Sequence, residues 1–396
     1  MFDSLSPLPQ DPILGLLAAF REDTNPSKVD LGVGVYKNEA GQTPIMASVK
    51  RAEALYIAQE DSKAYVGPAG DPAFNQGMEQ LLYGAGHKAL LENRVRTVQT
   101  PGGCGALRLA GEFINRCNDA ATLWVSDPTW ANHIPLFSNA GLTIKTYPYY
   151  DAETKGIRFD AMMACLQKLG PNDVVLLHGC CHNPTGADLN NEQWLAIADL
   201  AEAKGFLPLV DIAYQGFGSG LDDDAFGVRL LADRLPELIV AASCSKNFGV
   251  YRERVGALSL VSSTPTQADT SLSQVLNLSR GNYSMPPSHG AAVVGTIFQN
   301  EALTAEWKSE LTAMRERMNS LRVLLVDQLT AKGAGSRFDH IAAQNGMFSF
   351  LGLSVEQVQR LGKEYSVYLV NSSRINVAGI SEANIAYLSD SIVSVL

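Results

Sequence analysis

Four polar side chains stand where apolar runs stop, and as a set they could carry out amine–carbonyl chemistry. Phe206–Val210 is apolar and ends at Asp211, with Tyr214 close behind. Leu238–Ala242 ends at Ser243-Cys244-Ser245-Lys246, and Val174–Leu177 ends at His178, followed by Asn183-Pro184-Thr185-Gly186. In an open parallel sheet, ligands sit beyond the carboxyl ends of the strands. A carboxylate, a phenol, a carboxamide and an amine would then meet along one edge. A lysine held there, partly desolvated, is suited to forming Schiff bases. Each signal alone has a plainer reading: a strand-end Asp also caps helices or forms turns, and a lone Ser-x-Ser-Lys carries little. The combination is what points to a site.

A second constellation suits a phosphate. Pro101-Gly102-Gly103-Cys104-Gly105 precedes an amphipathic helix carrying Ala106, Leu107, Ala110, Phe113 and Ile114. Glycines at a helix N-terminus leave backbone N–H groups to hold an anion, although an ordinary flexible loop reads the same way. The spacing is not that of a P-loop, and Gly32-x-Gly34 lacks the third glycine of a dinucleotide fingerprint. Ser243, Ser245 and Arg254 could complete such a site, because hydroxyls and a guanidinium suit a phosphate dianion. His178-Gly179-Cys180-Cys181-His182 invites a metal reading, but its ligand types crowd together and match no zinc spacing. Packing is the better expectation for Cys180 and Cys181, and no metal is expected.

The elements that must position these residues follow from hydrophobic periodicity. Short apolar runs predict strands at Thr122–Val125, Thr143–Tyr147, Val174–His178, Phe206–Asp211, Leu238–Ala242 and Val255–Val261. Helix-period stretches lie between them, such as Glu192–Lys204 with Trp194, Leu195, Ala198 and Ala201 on one face. This alternation predicts an α/β fold: a large domain whose mostly parallel sheet is covered by helices on both faces. From Leu303 a long helical pattern (Trp307, Leu311, Met314, Met318, Leu321, Leu325, Leu329) leads into a smaller α+β domain. There Met347–Leu351 and Arg374–Val377 read as strands, Ser354 with Gln357 as a capping box, and a last helix starts near Ser381. The expected division is 1–44 as an N-terminal arm and part of the small domain, 45–312 as the large domain, and 313–396 as the C-terminal small domain.

Bulk properties exclude several classes. A chain of 396 residues suits two domains. A formal net charge of −10 and the lack of a basic stripe argue against nucleic acid. No run approaches a membrane span, and Met1-Phe2-Asp3-Ser4 lacks the features of a signal peptide. The six cysteines form no even framework and read as reduced thiols, so a cytoplasmic location is expected.

Asn183-Pro184-Thr185-Gly186, Asp211-x-Ala213-Tyr214, Ser243-x-Ser245-Lys246 and Arg254, in this order and spacing, resemble the class I aminotransferases of pyridoxal-5′-phosphate (PLP) fold type I. The likeness covers essentially the whole chain. Asp211-Ile-Ala-Tyr-Gln-Gly-Phe, Ser245-Lys-Asn-Phe-Gly, Asn282-Tyr-Ser-x-Pro-Pro and Gln344-Asn-Gly-Met-Phe-Ser are similar to the aspartate and aromatic subgroup. The resemblance implies that Lys246 binds PLP covalently and, once freed by the incoming amino acid, moves the substrate proton. It implies that Asp211 pairs with the pyridine nitrogen, that Tyr214 and Asn183 reach the ring O3′ oxygen, and that Trp130 stacks on the ring, with His133 and His178 supporting Asp211. The phosphate would be held by Gly103, Cys104, Ser243, Ser245 and Arg254, with Tyr65 from a neighbouring subunit. Cys104 departs from the family's usual hydroxyl residue, which leaves its backbone N–H as the useful donor. Arg374 matches the arginine that grips the substrate α-carboxylate, Arg280 the one that reaches a side-chain carboxylate across a dimer interface, and Gly34 lies in the mobile strand that closes over the substrate. Trp130 and Asn183 would also touch substrate. Tyr65 and Arg280 acting in trans imply a homodimer with shared sites.

The expected reaction is ping-pong transfer of the amino group from L-aspartate to 2-oxoglutarate, giving oxaloacetate and L-glutamate. Val35-Tyr36-Lys37-Asn38-Glu39 and His178-Gly179 look like the aspartate branch. Asp127-Pro128-Thr129-Trp130 and Gly186-Ala187-Asp188-Leu189 look like the aromatic branch, and Met285 replaces a polar residue of the aspartate enzymes. The alternative is therefore an aromatic aminotransferase of dual specificity. A nicotinamide-dependent dehydrogenase would need a dinucleotide loop that the chain lacks, and a catalytically silent relative would have lost Asp211, Tyr214 or Lys246.

Overall fold

The apolar runs in the middle of the chain are short and rich in Val, Ile and Leu, as strands buried on both faces require. A computed structural model describes residues 2–7 and 12–396, so residues 1 and 8–11 of the expected N-terminal arm lie outside the described residues. The chain divides into two compact units, Pro44–Arg317 and a smaller one of Met1–Thr43 with Met318–Leu396.

Strand β1 (Val29–Asp30) belongs to the smaller unit. The larger unit holds β2 (Val95–Pro101), β3 (Thr122–Asp127), β4 (Thr143–Pro148), β5 (Asp173–His178), β6 (Leu207–Ile212), β7 (Leu238–Ser243) and β8 (Val255–Val261). They form one sheet in the order β2-β8-β7-β6-β5-β3-β4, flanked by helices. Pairing is parallel from β4 through β7, and β8 runs antiparallel to both its neighbours. Every strand predicted for this region is present. Strand β2 is an addition: Arg96, Thr97, Gln99 and Thr100 interrupt its apolar pattern, although Thr97, Gln99 and Thr100 are buried.

The antiparallel direction of β8 brings distant segments together. Strands β2 and β7 arrive at the same sheet edge and β8 departs from it, so Pro101 pairs with Val255 and Ser243 with Gly256. Three stretches far apart in sequence therefore converge: the glycines after β2, the serines ending β7, and Arg254 just before β8. A Cβ on Gly256 would lie 2.5 Å from the Gly102 carbonyl carbon and 2.7 Å from the Ala242 carbonyl oxygen, so the convergence needs glycine there.

Helix α1 (Gly102–Cys117) buries Ala106, Leu107, Ala110 and Ile114 in a core with Leu123, Val125, Leu176, Leu209 and Leu258. Helix α2 (Asn191–Lys204) starts at a capping box of Asn190 and Gln193. Its buried stripe is Trp194, Ile197, Ala198 and Ala201. Leu195 is 42% exposed, contrary to the face expected from sequence. Adjacent helical residues point about 100° apart, so Leu195 cannot share the face of Trp194.

Helix α3 (Glu301–Leu329) runs unbroken from the larger unit into the smaller. Leu303, Trp307 and Leu311 are buried along its first half, and Leu321, Leu325 and Leu329 join the core of the smaller unit. That unit contains β9 (Phe348–Phe350), α4 (Val355–Tyr365), β10 (Val367–Tyr368), β11 (Arg374–Asn376) and α5 (Ile385–Ser394). Strands β1 and β10 pair in parallel, while β9 and β11 form an antiparallel ribbon. The predicted capping box opens α4: the Gln357 N–H donates to Ser354 Oγ at 3.2 Å and the Ser354 N–H to Gln357 Oε1 at 2.9 Å. The last helix starts at Ile385 rather than near Ser381, because Ser381 and Asn384 hydrogen-bond each other in a turn first. Among the described residues, no helix is long and apolar enough to cross a membrane.

Candidate active site

Strand β6 carries Asp211 to the sheet edge, in register with His178 on β5. Asp211 Oδ2 lies 3.0 Å from His133 Nε2, and because a carboxylate only accepts, that nitrogen carries the proton. His133 Nδ1 is 2.7 Å from Thr129 Oγ1, which also approaches His178 Nε2 at 3.3 Å. Burial disfavours the Asp211 charge, but the hydrogen bond and charge of His133, then His178 and Lys246, outweigh it and hold the carboxyl below its usual range.

Lys246 follows β7, partly buried, with Nζ 4.9 Å from the ring centroid of the buried Tyr214. Burial lowers the pKa of its ammonium; Asp211 and Cys104 pull the other way, and Arg254 adds to the lowering. The amine is therefore neutral more readily than that of an exposed lysine. Trp307 secures the segment from behind, donating from Nε1 to the Asn247 carbonyl at 2.7 Å and stacking on Phe248 at 4.2 Å.

The anion cradle forms where β2, β7 and β8 meet. Gly102 has φ +70°, and a Cβ there would fall 2.6 Å from Arg254 Nη2; one on Gly103 would fall 3.1 Å from Ser243 Cβ. Arg254 donates from Nη1 to Ser245 Oγ at 3.5 Å and to the Tyr251 carbonyl at 3.0 Å. Helix α1 begins at Gly102 itself, so Gly103 and Cys104 belong to its first turn, where N–H groups lack intrahelical partners. The Cys104 thiol accepts from Asn132 Nδ2 at 3.7 Å. Buried hydroxyls, a guanidinium and free amides together suit a phosphate dianion.

Asn183 is buried, and its carboxamide oxygen has no hydrogen-bond partner among the described residues. Such isolation of a buried amide is costly unless a ligand answers it. Trp130 is partly buried and meets His133 edge-on, with centroids 5.2 Å apart. The metal reading of residues 178–182 gains a neighbour, since Cys180, Cys181 and Asp224 lie within 4.8 Å of one another. The Asp224 carboxylate, however, already accepts the N–H groups of Gly216, Gly218 and Ser219.

Thr129 and His182 also belong to this arrangement, which sequence reasoning misses. Thr129 bridges two histidines, and His182 stacks against Tyr149 at 4.1 Å and meets the His178 ring at a tilt of 32°, centroids 4.0 Å apart. The motifs holding both residues are visible in the sequence, but hydrogen-bond reach between β3 and β5 is not. Desolvation, then His133, pushes the His178 pKa down from 6.5 to about 3, and desolvation lowers that of His182 as well. In the unfolded chain both rings protonate near pH 6.5. Their contribution is thus intact above that pH and is lost as the pH falls toward the folded values, because the unfolded chain takes up protons the folded chain refuses. For His178 alone the loss at pH 5 is about 2 kcal/mol. Urea unfolding at pH 7.5 and pH 5 should show a smaller acid loss for His178→Gln than for the unmodified chain.

The remaining predicted residues stand apart from Lys246 in their contacts. Tyr65 is 89% exposed and Arg280 is also exposed, with Arg280 bonded to Ser284. Among the described residues, no hydrogen bond or ring contact ties either to Asp211 or Lys246. In the smaller unit, buried Arg374 donates from Nη2 to the Gly32 carbonyl at 2.7 Å, and its Cζ sits 4.3 Å from the Phe348 ring centroid. Gly34 lies in irregular chain beyond β1 rather than in a strand.

A lysine poised for neutrality beside an ionised carboxylate, next to an anion cradle, marks an enzyme that works on amines with a phosphorylated helper. The family model for aminotransferase class I and II matches residues 26–392, and the chain belongs to that family. The aspartate aminotransferase of Escherichia coli (strain K12) is 50% identical over 396 residues, covering 100% of both chains. The aromatic-amino-acid aminotransferase of Pseudomonas aeruginosa is 48% identical over 394 residues, covering 100% of this chain and 98% of its own. Among solved structures, the aromatic-amino-acid aminotransferase of Burkholderia pseudomallei, covalently bound to pyridoxal phosphate, superposes with a TM-score of 0.98 at 42% identity, over 100% of this chain and 99% of that one. Within the family the chain falls in the aspartate and aromatic subgroup.

Proposed function

We propose that this chain is a PLP-dependent aminotransferase of dual specificity, taking aromatic amino acids and aspartate as donors and 2-oxoglutarate as acceptor. The carrying observation is the meeting of Lys246, Asp211 and Tyr214 at one sheet edge beside the Gly102–Arg254 cradle. The residues present fit the cofactor: the cradle suits its phosphate, Asp211 its pyridine nitrogen, and the Asn183 carboxamide N–H and Tyr214 hydroxyl could donate to its ring oxygen. When bound, PLP supplies an electron sink conjugated to the amino acid's α-carbon.

The chain's own residues do the rest. Asp211, held ionised by His133, keeps a proton on the ring nitrogen. Lys246 Nζ would hold the cofactor and would supply both the base that takes the proton from the substrate α-carbon and the acid that returns it. Arg374 grips the α-carboxylate through a two-pronged contact, with Gly34 nearby in sequence to Gly32, whose carbonyl Arg374 holds. Arg280 serves the second carboxylate of aspartate or 2-oxoglutarate, and swinging it aside admits an aromatic ring. Tyr65 and Arg280 act from the partner subunit of a homodimer; the exposed Ile45, Ile57 and Val66 in the sequence around Tyr65 support such pairing.

The aspartate expectation gives way here to its alternative, dual specificity. Relatives of both names match at nearly equal identity, and the partly buried Met285 offers an apolar contact where the aspartate branch is polar. Steady-state kinetics with aspartate, tyrosine and phenylalanine test this. We expect kcat/KM values within about tenfold of each other; a preference for aspartate of roughly a thousandfold would require a pocket that rejects rings outright and would overturn the proposal.

A further inference from the structure

The smaller unit buries a guanidinium that the functional reading leaves unused. Arg322, on α3, is 1% exposed. Its Nη1 donates to the Ile341 carbonyl at 2.9 Å and to Ser349 Oγ at 2.6 Å. Its Nη2 donates to the carbonyls of Asn345 at 3.0 Å, Gly346 at 2.7 Å and Phe348 at 2.8 Å. Burying a cation this deeply is costly unless its donors are used. Here the fork gathers the turn before β9 and the first residue of the strand itself.

The ribbon it gathers is short. Strands β9 and β11 pair Phe348 with Asn376, Ser349 with Ile375 and Phe350 with Arg374. Two strands alone are marginal in water, so their placement depends on what holds them from outside. Side chains alternate between faces. Ser349, which meets Arg322, is on one face; Phe348 and Arg374 are on the other, diagonal neighbours across the ribbon. The Phe348 ring lies under the Arg374 guanidinium at 4.3 Å, and a Cβ on Gly34 would strike its Cζ at 2.8 Å. Asn376, on that face opposite Phe348, donates to the carbonyls of Val33 and Val35, and Phe350 completes the face opposite Arg374.

We infer that Arg322 is a positioning residue for substrate carboxylate binding: by fixing the backbone of β9 it sets the aromatic plate on which Arg374 rests. The inference rests on the proposed role of Arg374. A lysine at 322 would keep the charge but could not span the same acceptors, since an ammonium is a point donor without the planar fork.

Calorimetric titration of the holoenzyme with two unreactive carboxylates, maleate and 3-phenylpropionate, reads affinity apart from turnover. Phe348→Leu should weaken both by about tenfold, and Phe348→Tyr, which keeps the aromatic face, should restore them. Arg322→Lys should weaken both by about threefold, and adding it to Phe348→Leu should weaken neither further, because both act through one plate. Where Arg322→Lys fails to fold, Ser349→Ala, which removes one of its acceptors, takes its place in the cycle. Additive effects, or a lowered Tm with unchanged affinities, overturn the inference. Arg374→Ala run in parallel separates the two readings. Unchanged affinities in that variant would remove Arg374 from the substrate, whereas weakened ones with an additive cycle would remove only the role of Arg322.

Discussion

Replacing Lys246 by alanine is expected to reduce turnover by on the order of 10⁵-fold or more, because in the proposed function one amine would both anchor the cofactor and move the substrate proton. The loss should be chemical rather than structural. Lys246 is only partly buried, and the anion cradle formed by Gly102, Ser243, Ser245 and Arg254 does not depend on its side chain. The variant should therefore still take up PLP and remain yellow, with a Tm close to that of the unmodified chain. Borohydride should fix the cofactor onto the unmodified chain and not onto the variant. Turnover retained at the original rate, or covalent fixation persisting without Lys246, would refute its assigned role.

The second large effect is expected at Asp211. Asp211→Asn keeps the shape but removes the negative charge that would hold a proton on the pyridine nitrogen, so kcat should fall by about 10³-fold or more. The carboxamide oxygen can still accept from His133 Nε2, which now bonds Asp211 Oδ2 at 3.0 Å. That keeps the destabilisation modest: a charge-assisted hydrogen bond becomes a neutral one, a loss of about 1 kcal/mol. A fall in kcat without comparable loss of cofactor affinity would mark an electrostatic role. Equal losses in PLP retention and kcat would instead make Asp211 a binding residue only. His133→Ala provides the companion measurement, since it leaves the carboxylate but removes the group that most favours its ionised form.

Local sequence determined much of this protein. The end of each apolar run placed Asp211, His178 and Ser243 at strand termini, because a buried parallel strand must be apolar until it reaches the edge. The Ser354–Gln357 cap was equally legible, since it closes within a single turn. The apolar pattern of α3, recurring every three or four residues, was legible as one long helix.

What the tertiary structure decided lies between segments distant in the chain. Strand β2 was hidden by its polar residues, yet its pairing with the antiparallel β8 brings Gly102 against Arg254. The hydroxyl of Thr129 joining two histidines depends on the spacing of β3 and β5, and the Phe348–Arg374 stack on the register of a ribbon. In the sequence Arg322 reads as one more polar position on a helix; only the fold shows it gathering carbonyls from a loop some twenty residues away. Residue type and local period set where a side chain can begin, since they act over a few ångströms of one chain. Which partner it reaches is set by strand order and register, which no single stretch of residues contains.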